Sequence, residues 1–289
     1  MLQMVRINSV LALVLLLFSC ERYDVAGVIS SPSKTVDARF EQSMEWNNQH
    51  AEIVLSVPTD DYCFYVASDV HVSESVEHLT TFLTLERNDN TAYFSLILGD
   101  MVDKKGVFDL FCSSLTYNSD TQTRNDTLFT VVGNHDLYFN QWNDYASYFA
   151  TSTYKFVVET PHYKDVYFAL DSGSATLGQK QLQWLKEQLS ESRDTYRKRI
   201  VFTHTNFFKN DCSQLFSGNY SEAELFELTD LFAQNNVDLV LTGHTHVFSE
   251  SVYKNVRYLT VGALAESENI LSYLVVHCGE SVTYISHQN

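Results

Sequence analysis

From Tyr62 onward the chain alternates short, uninterrupted apolar runs with segments of helical spacing. The runs are YCFYVAS (62–68), YFSLILG (93–99), LFTVVG (128–133), VYFALD (166–171), RIVFTH (199–204), VDLVLTG (237–243), VRYLTVG (256–262) and SYLVVHC (272–278). Several of them are apolar throughout, which predicts strands buried on both faces. Between the runs, GQKQLQWLKEQL repeats apolar residues at Leu182, Leu185 and Leu189. SEAELFELTDLFAQ opens with a capping-box pair, Ser221 and Glu224, and continues through Leu225, Leu228 and Leu231 or Phe232. Strands alternating with helices predict an α/β architecture. The last runs follow one another without a helical spacer, so part of the sheet structure is expected to be antiparallel or to form a second sheet. Upstream, Val36, Phe40, Met44 and Trp46 have the spacing of one helix face, and residues 21–35 read as a turn-rich tether.

The N-terminus has a different pattern. Arg6 precedes nine apolar residues, VLALVLLLF (10–18), and Ser19 and Cys20 follow. That run is shorter than the roughly 20 apolar residues a membrane-spanning helix needs. A basic start, an apolar centre and a small residue before the cut are the parts of a secretory signal peptide. LFSC also resembles a bacterial lipobox, although Phe18 is bulkier than the usual residue there. The expectation is a lipoprotein signal peptide over 1–19 and lipidation at Cys20. A lipid-attached tether with an N-terminal helix would cover 20–60, and the main domain 61–289. Such a chain is anchored in the bacterial cell envelope, its soluble domain in the periplasm or at the cell surface. An ordinary signal peptide or an anchor helix is the alternative.

The whole chain has 289 residues, 45% of them hydrophobic, enough for a substantial core. Without residues 1–19 it loses Arg6 and no acid, leaving 18 basic against 36 acidic residues and a formal charge of −18. That surface repels nucleic acid polymers, which are bound by basic residues that neutralise phosphates. Cys63, Cys112, Cys212 and Cys278 show no paired zinc or redox spacing. Cys63 and Cys278 lie in apolar runs, where buried free thiols are expected.

Chemistry collects where the apolar runs end. Asp69 and His71 follow the first, Asp100 and Asp103 the second, and Asn134, His135 and Asp136 the third. His204 ends the fifth, and GHTH after the sixth supplies His244 and His246. Ligands of open α/β sheets bind outside the carboxyl ends of the strands, so five strands are predicted to deliver carboxylate, imidazole and carboxamide groups to one edge. In an extended segment His244 and His246 project from the same face. Imidazole and carboxylate together are metal ligands. Singly, each cluster has an ordinary explanation, such as a helix cap or a core histidine.

D-x-H, GD-x-x-D, GNHD, H and GH-x-H, in that order, resemble the signature of the calcineurin-like metallophosphoesterases over roughly residues 60–280. The resemblance implies a four-layered α/β/β/α sandwich with mixed sheets. It implies that Asp69, His71 and His246 hold one metal ion, that Asn134, His204 and His244 hold another, and that Asp100 bridges them. His135 would face the leaving oxygen of the substrate. Asp103 is expected to buttress its loop and Asp136 to support the ligands from behind. Many relatives place a proline two residues past the lone histidine of the fourth motif, His204; here Asn206 stands there, which affects loop shape rather than ligation.

The implied reaction is hydrolysis of phosphate mono- or diesters by a hydroxide bridging two ions about 3.5–4 Å apart. Manganese, iron and zinc all suit such ligands. The rival is a non-catalytic envelope lipoprotein that uses the metals to bind a ligand or partner. Substrate choice is expected in the segments 104–126, 137–165 and 207–220. Their aromatic residues, as in NQWNDYASYF, either pack over the sandwich edge or stack a base or sugar.

Overall fold

The computed structural model describes residues 34–115, 127–210, 212–266 and 269–288; Cys20 and the expected signal peptide lie outside them. Two sheets face each other. The five-stranded sheet has the order β14-β13-β2-β3-β4, built from β2 (Tyr62–Ala67), β3 (Ala92–Ile97), β4 (Leu128–Thr130), β13 (Ser272–Cys278) and β14 (Val282–Gln288). The seven-stranded sheet has the order β1-β5-β6-β7-β10-β12-β11. Its strands are β1 (Ile53–Ser56), β5 (Tyr154–Glu159), β6 (Lys164–Ala169), β7 (Lys198–Phe202), β10 (Leu239–Thr242), β11 (Ser249–Tyr253) and β12 (Val256–Thr260). A separate hairpin pairs β8 (Phe208–Lys209) with β9 (Cys212–Phe216).

The unbroken apolar runs are explained by what covers each face. In β2, Tyr62, Phe64 and Val66 point into the core between the sheets, together with Phe94, Phe156, Tyr167 and Phe202. Cys63, Tyr65 and Ala67 point the other way, against α2 (Glu77–Asn88), α3 (Phe108–Leu115) and α4 (Trp142–Phe149). On the far side, Val166, Phe168, Val201 and Val240 pack under Leu182, Leu185 and Leu189 of α5 (Gly178–Ser192) and Leu225, Leu228 and Phe232 of α6 (Glu222–Gln234). Helices, sheet, sheet and helices make the four expected layers. The strands β2, β3 and β4 run parallel in one sheet, and β6, β7, β10 and β12 in the other. The last two apolar runs, which have no helical spacer, become β12 and β13 and lie in different sheets, and β13 pairs antiparallel with β2 and β14.

The expected domain start at residue 61 falls inside this unit. β1 pairs with β5, and α1 (Val36–Gln49) is tied down by Arg39, whose buried guanidinium holds Asp171 at 2.7 and 2.9 Å. Breaking a buried pair of this kind costs about 3–5 kcal/mol. The fully buried face of α1 is Val36, Arg39, Phe40 and Ser43, so the expected contribution of Met44 and Trp46 is only partial. Segment 137–165, expected as a substrate loop, instead contains α4 and β5. Trp142 and Tyr145 of α4 are buried against the helical layer, which favours packing for that aromatic run. Cys63, Cys112 and Cys278 are free thiols.

Candidate metal centre

The ends of β2, β3 and β4 from one sheet meet the ends of β7 and β10 from the other, and the functional side chains converge at that seam. Tight turns bring them there. Asp69, His71, Asp100, His244 and His246 all have positive φ, between 50° and 77°. Left-handed backbone costs a residue with a β-carbon about 1–2 kcal/mol, and such strain persists where the surrounding structure enforces it. Glycine makes the closest approaches possible. Gly99 has φ 90°, and a β-carbon on it would lie 2.6 Å from the Gly133 nitrogen and 2.9 Å from His204 Nδ1. A β-carbon on Gly133 would overlap Asp100 itself.

Two groups of ligand atoms result. In the first, His71 Nε2 lies 3.0 Å from His246 Nε2 and 4.0 Å from Asp69 Oδ1, which is 3.6 Å from His246 Nε2. In the second, His204 Nε2 lies 3.0 Å from Asn134 Oδ1, 3.2 Å from His244 Nδ1 and 3.3 Å from Asp100 Oδ2. Asp100 Oδ2 is also 4.0 Å from His71 Nε2, so this carboxylate stands between the groups. Its other oxygen, Oδ1, accepts a hydrogen bond from the His135 amide at 2.7 Å.

The donor set fits cations. His71 Nδ1 is bonded to Asp103 at 2.6 Å and His204 Nδ1 to the Leu98 carbonyl at 2.8 Å. Each therefore donates through Nδ1 and turns a lone pair at Nε2 into the cluster. Such lone pairs are met either by a proton on a neighbouring ring, at His246 Nε2 or His244 Nδ1, or by a cation among them. Ligand atoms about 2.0–2.2 Å from a common ion are themselves about 3.0–3.5 Å apart in octahedral or tetrahedral arrangements. Protonation supplies the charge otherwise. Burial opposes a charged His204, yet Asp100 and Asp69 outweigh it and raise its pKa to about 9. Burial likewise works against the Asp100 carboxylate, but His204, His135 and His71 hold its pKa well below the usual range. Burial and the charged His204 lower the pKa of His244.

Asp103 does more than buttress a loop. One of its oxygens takes both His71 Nδ1 at 2.6 Å and His135 Nδ1 at 2.9 Å. It orients a candidate ligand and, through the same atom, the one-third-exposed imidazole of His135 (34%). Asp136 lies behind the cluster and accepts from the amides of Gly133 at 2.9 Å, Met101 at 2.8 Å and Val102 at 3.3 Å. It stitches together the loops that carry Asp100 and Asn134. Burial, then the charge of Asp100, raise its pKa to about 7 despite those donors. Asn206, in place of the usual proline, is buried and builds the following loop. Its side chain donates to the Phe208 carbonyl and accepts from Asn219, both at 2.7 Å.

The seven proposed ligands, His135, Asp103 and Asp136 are thus all brought to one place. Sequence reasoning missed Tyr138, whose hydroxyl accepts from Asn134 Nδ2 at 3.1 Å. It also missed Asn210, whose amide oxygen accepts at 3.2 Å from Thr245, the residue between His244 and His246. Neither position carries a spacing signal that could have found it.

The sequence profile of the calcineurin-like phosphoesterases matches residues 64–248, most of the chain. The chain belongs to the calcineurin-like phosphoesterase family. Membership makes this phosphoesterase a metal-dependent hydrolase of phosphoric esters, with His and Asp groups placed to hold ions. Among solved structures it resembles a dimetal phosphatase from Danio rerio, at 12% identity over 78% of this chain and 95% of that one, with a TM-score of 0.60. It also resembles the purple acid phosphatase PPD1 of yellow lupin, at 13% identity over 79% of this chain and 52% of that one (TM-score 0.58). A third is GAP50, the anchor in the inner membrane complex of Plasmodium, at 14% identity, 80% and 89% coverage and TM-score 0.56. At these identities the likeness establishes the fold. No curated protein matches the chain in sequence.

Proposed function

We propose that this phosphoesterase hydrolyses phosphate mono- or diesters at a centre of two metal ions, with water as the nucleophile. Asp69, His71 and His246 would hold one ion and Asn134, His204 and His244 the other, with Asp100 shared. The observation that carries the reading is the arrangement of ligand atoms in two groups with one carboxylate between them. Bound there, manganese, iron or zinc would supply Lewis acidity, neutralising phosphoryl oxygens and lowering the pKa of a shared water toward neutrality.

The side chains account for the rest. The converging groups are histidine, aspartate and asparagine, so no serine or cysteine nucleophile is called on. Asp103 holds His135 through Nδ1, which leaves Nε2 to meet the leaving oxygen; with the ring as imidazolium, Nε2 would give its proton to that oxygen and leave the neutral Nδ1–H form bonded to Asp103. The presence of His135 beside a full ligand set favours catalysis over metal-dependent binding alone. With added Mn(II), the purified protein should turn over 4-nitrophenyl phosphate or bis(4-nitrophenyl) phosphate, and chelation should abolish this. A protein that holds the ions yet cleaves neither ester is the non-catalytic binder.

We further propose attachment to the cell envelope through a lipid on Cys20, supported by LFSC after the apolar run. Among the described residues, no helix is long and apolar enough to cross a membrane. Wild-type protein should incorporate a fatty-acid analogue and the Cys20→Ser variant should not. Absence of label in the wild type refutes lipidation.

A further inference from the structure

The turn that carries Asn134 and His135 has an irregular end. The 3₁₀ segment His135–Asn140 breaks at Tyr138, which is extended (φ −58°, ψ 156°), and at Phe139, which is left-handed (φ 53°, ψ 23°). Left-handed backbone is disfavoured for any residue with a β-carbon. Phe139 is 67% exposed, so its own packing returns little for that conformation. What the break accomplishes is the placement of Tyr138. Its ring is folded back to a centroid distance of 4.8 Å from His135, and its hydroxyl accepts from Asn134 Nδ2 at 3.1 Å.

A carboxamide has an acceptor end and a donor end. With Nδ2 held by Tyr138, Asn134 turns Oδ1 toward His204 Nε2 and His244 Nδ1, 3.0 Å from each. Rotated by half a turn, the same amide would direct N–H groups into the space between those imidazoles, where they would repel a cation instead of binding it. Both rotamers fill nearly the same volume, so packing alone discriminates poorly between them; the bond that Tyr138 accepts from Nδ2 belongs to the observed rotamer.

We propose that Tyr138 is a positioning residue for the second metal ion, its hydroxyl holding the Asn134 amide with the oxygen toward the ion. The proposal rests on the reading of Asn134, His204 and His244 as that ion's ligands. Ring and hydroxyl are separable: Tyr138→Phe keeps the aromatic contact with His135 and removes only the hydroxyl.

The test is Mn(II) binding to the full chain by equilibrium dialysis, with the melting temperature of the ion-free protein measured alongside. The stepwise constant lost in His244→Ala identifies the second-ion site. In Tyr138→Phe that constant should weaken about 10-fold, within the range for partners that orient metal ligands. The first constant and the ion-free melting temperature should stay at the wild-type values. The decisive control is Asn134→Asp, because a carboxylate presents an acceptor at either end and needs no orienting. In that background Tyr138→Phe should weaken the second ion no further. Unchanged affinity in the single variant overturns the proposal, as does equal weakening of both ions with a lower melting temperature, or persistence of the 10-fold effect in the Asn134→Asp background. If the wild type binds only one ion, the two-ion reading fails, and the role of Tyr138 fails with it.

Discussion

Asp100→Ala should strip the phosphoesterase of both ions and lower phosphoester turnover on the order of 10³-fold or more, because preorganised charge is usually the largest single catalytic contribution. The expectation follows from where its two oxygens go. Oδ2 lies 3.3 Å from His204 and 4.0 Å from His71, one imidazole from each ligand group, so its loss weakens both sites at once. Oδ1 accepts from the His135 amide at 2.7 Å, so the loop bearing Asn134 and His135 loses its anchor as well. By comparison, His246→Ala removes a ligand from one group only and should weaken one ion selectively. Elemental analysis after loading, beside circular dichroism of the ion-free variants, separates loss of ligation from loss of fold. An Asp100→Ala protein that retains two ions would show that this carboxylate is not shared.

His135→Ala should keep both ions and lose activity in proportion to how poor the leaving group is. General acid catalysis contributes about 10²–10⁴-fold. That full loss is expected on an alkyl phosphate, whose leaving oxygen needs a proton as the bond breaks. A nitrophenyl ester departs as a stable anion and should suffer far less. Asp103 makes the contrast testable, because it bonds both His135 and the candidate ligand His71. Removing His135 leaves the Asp103–His71 bond in place, so His71 stays oriented for the ion proposed there. Values of kcat/KM on both esters, with ion content and melting temperature, decide the matter. An equal loss on both esters at full occupancy removes the general-acid role, and loss of metal makes His135 a structural residue.

Much of this molecule was legible in its sequence because both the core and the site depend on short-range patterns. Strands covered on both faces carry short apolar runs, and β2, β3, β7, β10, β12 and β13 declare themselves that way. The candidate ligands stand within a few residues of the strand ends, so their order along the chain already matched the family pattern. Edge strands were less legible. β14 alternates partly buried with exposed positions, and β11 carries Glu250 and an exposed Val252, so neither reads as an apolar run. The short helices α3 and α4 escaped because eight residues give too few turns for a period to stand out. The division of the candidate ligands between the two sheets was also hidden, since it depends on how the sheets face each other. Tyr138 and Asp103 show the same limit at the site: their roles come from hydrogen bonds that only the folded turn creates.

The most direct test of the two-ion account follows phosphate release from an alkyl phosphate while ion-free protein is titrated with Mn(II), with ions per chain determined in parallel. The account predicts that turnover rises only as loading passes from one ion to two, and that a chelator returns it to background. Full turnover at a single ion, or turnover that survives removal of all metal, would contradict it.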